Sequence, residues 1–352
     1  MSADELTFTL PHIVAGVMVL SLNAYVLLAG ADFGGGVWDL FARGERREEQ
    51  RAAIAEAIGP IWEANHVWLI LVVVLLFTCF PKAFAHLATE LHVPISAMLV
   101  GIVLRGSAFT FRTYDSTRDE VQHRWGRIFS VASIITPVLL GVCLGAVAGG
   151  RVPIRAAGSP VVGEPFAARF IAPWAASPFS WAVGFLALAL FAFLAATYLT
   201  VEAPDRELRE VFRRRALQTQ GALLAVSTVT IVLAAREAPL VFDGLTKGSI
   251  ALAMHAVTAM AAIGSVLALR ARAYRVARLA AVAQATFILW GWAWSQFPLL
   301  LPPDRSIASL AAPMVTLSMV LTVLAIGTLI LLPSFVYLFR VFKSGGTAFE
   351  QE

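Results

Sequence analysis

Nine apolar runs of about 20 residues, each long enough to cross a bilayer as a helix, leave this chain little else to fold into. They fall at about 9–30, 60–80, 87–111, 126–149, 179–200, 217–235, 249–269, 277–296 and 312–339. In hydrocarbon every backbone N–H and C=O needs an internal partner, so runs of this length are expected to be α-helices. Composition agrees: 59% of the residues are hydrophobic and 14% charged, against about 45–50% and 25% in soluble domains. The expectation is an all-α, polytopic membrane protein forming one integral membrane domain over residues 1–352, with no soluble domain and no internal repeat.

The connections test that count, because Lys and Arg concentrate on the cytoplasmic side of a membrane. Of the 27 basic residues, nineteen fall in alternate connections, among them Arg43, Arg46, Arg47 and Arg51, the block from Arg206 to Arg215, and Arg270 to Arg278. Seven lie in the opposite set, and Arg105 alone is left within a span. One missed or invented helix would destroy the alternation. It sets the N-terminus outside and the C-terminus in the cytoplasm. The first residues lack the basic start of a cleavable signal, so the first run is kept as a helix. Residues 150–178 carry Pro153, Pro160, Pro165, Pro173 and Pro178 and are expected to be an irregular outer loop. Trp290, Trp292 and Trp294 are read as part of an outer interfacial belt. The net charge of +4 is small and resides in interhelical blocks, so no nucleic-acid partner is expected. Cys79 and Cys143 have no metal or paired spacing.

Ionisable groups inside spans are expensive and by default functional. Four fall at similar depth toward the arginine-rich side: Asp32 at the cytoplasmic end of the first run, Glu63 and His66 at the start of the second, and Arg105 late in the third. At helical spacing Glu63 and His66 share a face, as do Trp62 and His66. A chain of acid, imidazole and water is what carrying protons through apolar surroundings requires, and Asn65 is placed to orient its neighbours or bind water. In a purely structural account Arg105 pairs with Glu63 or Asp32 and pins helices together. A lone helical histidine is more often a core or relay group than an iron ligand, and no haem-attachment motif accompanies His12, His66 or His255, so no metal ligand is assigned. Gly34-Gly35-Gly36 follows a helix and lacks a Lys-Ser/Thr partner, so it is read as close packing or a helix break, not a phosphate loop. A proton-coupled secondary transporter is a rival class for such groups.

Three ordered stretches, Ala31-Asp32-Phe33-Gly34-Gly35-Gly36-Val37-Trp38-Asp39-Leu40, Gly59-Pro60-Ile61-Trp62-Glu63-Ala64-Asn65-His66-Val67-Trp68 and Gly101-Ile102-Val103-Leu104-Arg105-Gly106, carry a family resemblance. Further matches at Gln296-Phe297-Pro298, Leu301-Pro302-Pro303-Asp304, Ala311-Ala312-Pro313 and Leu332-Pro333-Ser334 extend it along the chain. Together they make the sequence similar to subunit II of the cytochrome bd type quinol oxidases, more narrowly the cyanide-insensitive branch. The resemblance implies a haem-free subunit in a bacterial cytoplasmic membrane, with no catalytic residue of its own. Its partner would be a homologous subunit I holding haems b and d, or b alone, and the quinol site. Quinol and dioxygen would be the substrates of the complex, and protons for water would come from the cytoplasm past Glu63. Trp68, with Trp62, would mark a dioxygen entrance. The resemblance also leaves room for a structural quinone, membrane lipids and small accessory subunits. Two positions depart from the better-known branch. Glu63-Ala64-Asn65-His66 stands where that branch has Asp-Gly-Asn followed by Gln or Glu, and Leu28 stands where it has an additional acid. A scaffold that only shields the partner's haems is the remaining alternative.

Overall fold

Thr9 opens the first helix, with Pro11 in its first turn, where a missing N–H costs nothing. The Nδ1 of His12 accepts from the Thr9 N–H at 3.3 Å, so this imidazole closes a helix start. A computed structural model describes residues 9–58, 62–114, 119–152 and 165–344. In order they form α1 (Leu10–Leu40), α2 (Arg47–Ile58), α3 (Trp62–Cys79), α4 (Pro81–Glu90), α5 (His92–Tyr114), α6 (Asp119–Ala148), α7 (Phe166–Phe170), α8 (Ala172–Ala175), α9 (Pro178–Glu202), α10 (Arg206–Glu237), α11 (Pro239–Thr246), α12 (Ser249–Arg270) and α13 (Tyr274–Gln296). An antiparallel hairpin, β1 (Leu299–Leu301) with β2 (Arg305–Ser306), then leads through α14 (Ile307–Leu310) to α15 (Met314–Ser344).

Among the described residues eight helices are long and apolar enough to cross a membrane, and the pair α3 and α4, bent by 116°, makes a ninth if taken as one span. At 18 residues, α3 is about 27 Å long and reaches across most of a bilayer's hydrocarbon. Pro81 then starts α4 in a new direction. Helix ends differ from the apolar runs for a common reason: polar residues that face neighbouring helices do not end a helix. Thus α1 continues through Asp32 and the three glycines to Leu40. Likewise α10 begins at Arg206, where the Asp205 carboxylate accepts from the N–H groups of Glu207 and Leu208, both at 2.9 Å. The first arginine-rich connection holds α2, and residues 165–177 of the outer connection hold α7 and α8; residues 153–164 of that connection lie outside the described residues.

The core joins α1, α6, α9, α10 and α13. Glycine sets the closest approach, since a Cβ at Gly34 would lie 2.0 Å from the carbonyl oxygen of Phe191. That neighbour is backbone and cannot swing aside. Gly34→Ala is therefore expected to force α1 and α9 apart at a cost of about 1–3 kcal/mol or more, read as a lower thermal midpoint and yield of the purified protein. By contrast, α12 and α15 expose apolar faces along most of their length, which hydrocarbon tolerates and water does not. Trp292 departs from the belt reading, because it packs against the main core.

Contacts between helix ends gather the arginine-rich connections on one face. Arg46 of the first connection binds Asp205 before α10 at 2.5 Å, Arg278 of α13 binds Glu202 of α9 at 3.1 Å, and Arg215 donates to the Phe41 carbonyl at 3.0 Å and to Gln50 at 2.7 Å. The opposite face is closed by Glu237, which accepts from Ser177 Oγ at 2.7 Å and from Arg151 at 3.4 Å. The hydrogen bond from Arg46, then those from backbone N–H groups, holds the Asp205 carboxyl down at about 2. A carboxyl depressed in the folded state stabilises it fully above its unfolded value near 3.9 and loses that contribution as pH falls toward about 2. The tie from α2 to α10 is thus expected to hold unchanged from pH 9 to pH 5 and to loosen only below about pH 4, measurable as hydrogen exchange across residues 42–58.

Candidate functional site

Four helices bring the buried polar groups together. Asp32 and Phe33 come from α1, Asn65 and His66 from α3, Arg105 from α5 and Phe129 from α6. Asp32 is 3% exposed, and Asn65 and Arg105 are 1% exposed. The Asn65 Nδ2 donates to Asp32 Oδ2 at 2.6 Å, a charge-assisted bond between neighbouring helices. The Arg105 guanidinium lies 4.7 Å from the centroid of the Phe33 ring and 5.2 Å from that of Phe129. Such desolvated cation–π contacts contribute about 2 kcal/mol or more each, less than burying a bare cation costs. Compensation comes from Asp32, whose charge and that of Arg105 act on each other.

The guanidinium is not fully used. Its Nε and Nη2 are buried and meet no hydrogen-bond partner among the described residues, and the same holds for Thr136 Oγ1 on α6. Buried donors of this kind are normally satisfied by ordered water. A carboxylate, a carboxamide and a guanidinium with open N–H groups make a site suited to hold water next to a group that can release or accept a proton.

His66 borders this cluster through the Phe33 ring that the Arg105 guanidinium also meets. Its ring stands 6.0 Å from that of Tyr25, edge-on, and 6.0 Å from that of Phe33, flanked by aromatic faces on two sides. Trp68, two residues further along α3 and so on a different face of the helix, is partly buried against the main core. The backbone of Trp62 and Glu63 forms the first turn of α3, while their side chains lie outside the described residues. His255 directs its Nδ1 to the Ala251 carbonyl of its own helix at 2.9 Å. No three His, Cys, Asp or Glu side chains gather as a metal site would require among the described residues.

Three polar features were passed over at the level of sequence. Trp38 donates its Nε1 to the Ala192 carbonyl at 2.8 Å, locking α1 to α9. Asp39, 1% exposed, accepts from Ser130 Oγ at 3.0 Å and lies 3.8 Å from Arg51 Nε. Its signal was available: Asp39 follows Asp32 by seven residues, two helical turns, and so shares its face. At the opposite face, buried Arg169 and Glu90 form an ion pair at 3.3 Å that ties α4 to α7.

Fold and site together define a polytopic helical membrane protein that keeps a carboxylate, a carboxamide and a guanidinium gathered inside its apolar bundle. The chain belongs to the cytochrome bd terminal oxidase subunit II family, whose model matches residues 10–342. Membership makes it a subunit of a terminal oxidase. Among relatives, the putative cytochrome bd menaquinol oxidase subunit II of Bacillus subtilis is 23% identical over 334 residues, 93% of this chain and 94% of its own length. The cytochrome bd ubiquinol oxidase subunit 2 of the same organism is 32% identical over 123 residues, a match that spans only 34% of each chain. A chain in the structure of the bd oxidase from Geobacillus thermodenitrificans superposes with a TM-score of 0.76 at 27% identity, over 95% of this chain and 99% of that one.

Proposed function

We propose that this chain is the haem-free subunit of a bd-type quinol:dioxygen oxidoreductase, supporting a haem-bearing subunit I and delivering protons to it from the cytoplasm for the reduction of dioxygen to water. The observation that carries the reading is the buried contact of Asn65 with Asp32 beside a guanidinium whose Nε and Nη2 remain open. Reducing dioxygen to water consumes one proton for every electron, and a haem site enclosed in lipid needs a polar route for them. The haems on the partner would supply the electron transfer and dioxygen chemistry.

In this reading the arginine-rich face lies in the cytoplasm and the N-terminus outside, as the distribution of Lys and Arg supports. Asp32 takes and passes protons, Asn65 fixes its orientation, and Arg105 holds water and balances its charge. Glu63 and His66, at the start of α3, carry protons onward toward the partner. Trp62 and Trp68 border the dioxygen entrance.

The test is partner dependence with a titratable-group variant. In proteoliposomes the chain alone should move no protons, whereas a proton-coupled transporter would act unaided. With subunit I present, Glu63→Gln should slow quinol-driven dioxygen uptake on the order of tenfold while haem content and assembly stay unchanged. Unchanged turnover per haem would remove Glu63 from the route.

A further inference from the structure

A second carboxylate lies on the same face of α1, between the Asp32 cluster and the arginine-rich surface. Asp39 is 1% exposed, and it meets a side chain that reaches toward the surface. Arg51 of α2 reaches it at 3.8 Å and is itself 16% exposed. On its other side Arg51 approaches Glu48 at 3.6 Å, and the Glu48 side chain is 74% exposed. The order from surface to interior is therefore exposed acid, guanidinium, buried acid. Fixed carboxylates at a surface draw protons, and a guanidinium that cannot titrate holds the two acids in place without competing for them.

From Asp39 inward the facing helix offers hydroxyls. Ser130 Oγ donates to Asp39 Oδ2 at 3.0 Å. Ser133, 0% exposed and one turn further along α6, faces Gly36 so closely that a Cβ there would lie 2.1 Å from Ser133 Oγ. Gly36 is midway between the carboxylates on α1, about 6 Å of helix rise from Asp32 and about 4.5 Å from Asp39. The bare glycine thus lets Ser133, whose hydroxyl donates to the Phe129 carbonyl at 2.7 Å, pack directly against α1.

We infer that Asp39 is the entry point through which protons from the arginine-rich face reach Asp32, by way of the Ser130 and Ser133 hydroxyls where α6 packs against Gly36. The inference rests on the proton-delivery reading of Asp32. A proton taken from bulk water neutralises the Asp39 carboxylate. It is passed along the hydroxyls by making one O–H bond as the next is broken, and it arrives on Asp32, leaving Asp39 ionised for the next.

The test uses the complete oxidase complex at matched haem content, comparing Asp39→Asn, Asp39→Glu, Ser130→Ala and Asp32→Asn. Asp39→Asn keeps an acceptor for Ser130 but cannot carry a proton. It should slow steady-state dioxygen uptake on the order of tenfold and slow proton uptake, followed with a pH dye in a single turnover, to the same degree. Asp39→Glu should restore most of both, and Ser130→Ala should show a smaller loss with a raised solvent isotope effect. If Asp39→Asn lowers only the yield of complex and leaves turnover per haem at the wild-type value, Asp39 is a tie between helices and the entry role is overturned. If Asp39→Asn does not assemble, Ser130→Ala decides, and wild-type turnover with an unchanged isotope effect overturns the route. If Asp32→Asn slows turnover and Asp39→Asn does not, only the entry falls; if neither does, the proton-delivery reading falls with it.

Discussion

Replacing Asp32 by asparagine is expected to cut quinol-driven dioxygen uptake per haem on the order of tenfold or more, equivalent to about 1.4 kcal/mol or more on the rate-limiting barrier. The substitution hardly alters shape, and a carboxamide can still accept from Asn65, whose Nδ2 lies 2.6 Å from Asp32 Oδ2. What is lost is the capacity to take up and release a proton at a place buried among four helices. Asp32→Glu keeps that capacity but pushes the carboxyl about one methylene further into a packed site, so it should fall between wild type and Asp32→Asn. The measurement is dioxygen consumption by the purified complex with quinol as donor, with the haem spectrum as a control for the partner's integrity. Turnover at the wild-type rate in Asp32→Asn would show that protons reach the partner without this group.

The spans and the odd residues inside them were both legible in the sequence, because both are departures from a bulk property. A run of about 20 apolar residues has few fates, and Asp32, Asn65 and Arg105 stand out as polar groups where lipid penalises them. Asn65 donates to Asp32, and the charges of Asp32 and Arg105 act on each other, whereas the depths read from the sequence match Asp32, Glu63, His66 and Arg105. Less legible was whatever depends on which way a polar residue faces. Counting apolar residues ends α1 near residue 30, whereas inward-facing Asp32 and the three glycines let it run to Leu40. The same boundary leaves Asp39 outside the first run, although it is as buried as Arg105. The bend between α3 and α4 was hidden because Cys79, Phe80 and Ala83 are all buried and apolar, so only Pro81 marked it. Small polar helices such as α2 leave no apolar run at all. They are held by ion pairs to distant segments, as Arg46 is by Asp205, and a sequence does not display that pairing.

The sharpest separation of proton chemistry from helix pinning comes from removing both charges. Asp32→Asn leaves the Arg105 guanidinium buried with its two aromatic faces and, among the described residues, without the carboxylate that balances it, and a guanidinium cannot shed its proton to escape. Breaking a buried pair from that side costs about 3–5 kcal/mol, so the single variant should unfold at a distinctly lower temperature than wild type. Arg105→Leu alone is milder, because a carboxyl left without its cation can keep a proton and become neutral. In the double variant neither of these two charges remains, and apolar replacement of buried opposite charges is often neutral or stabilising. Adding Arg105→Leu to Asp32→Asn is therefore expected to recover most of the lost thermal stability while turnover stays slow. A helix-pinning role for the pair makes the opposite forecast, with activity returning as stability returns. A thermal melt and a dioxygen-uptake rate on the same four preparations, wild type, each single variant and the double, close the cycle. Recovery of turnover in the double variant would assign Asp32 to structure and remove it from the proton route.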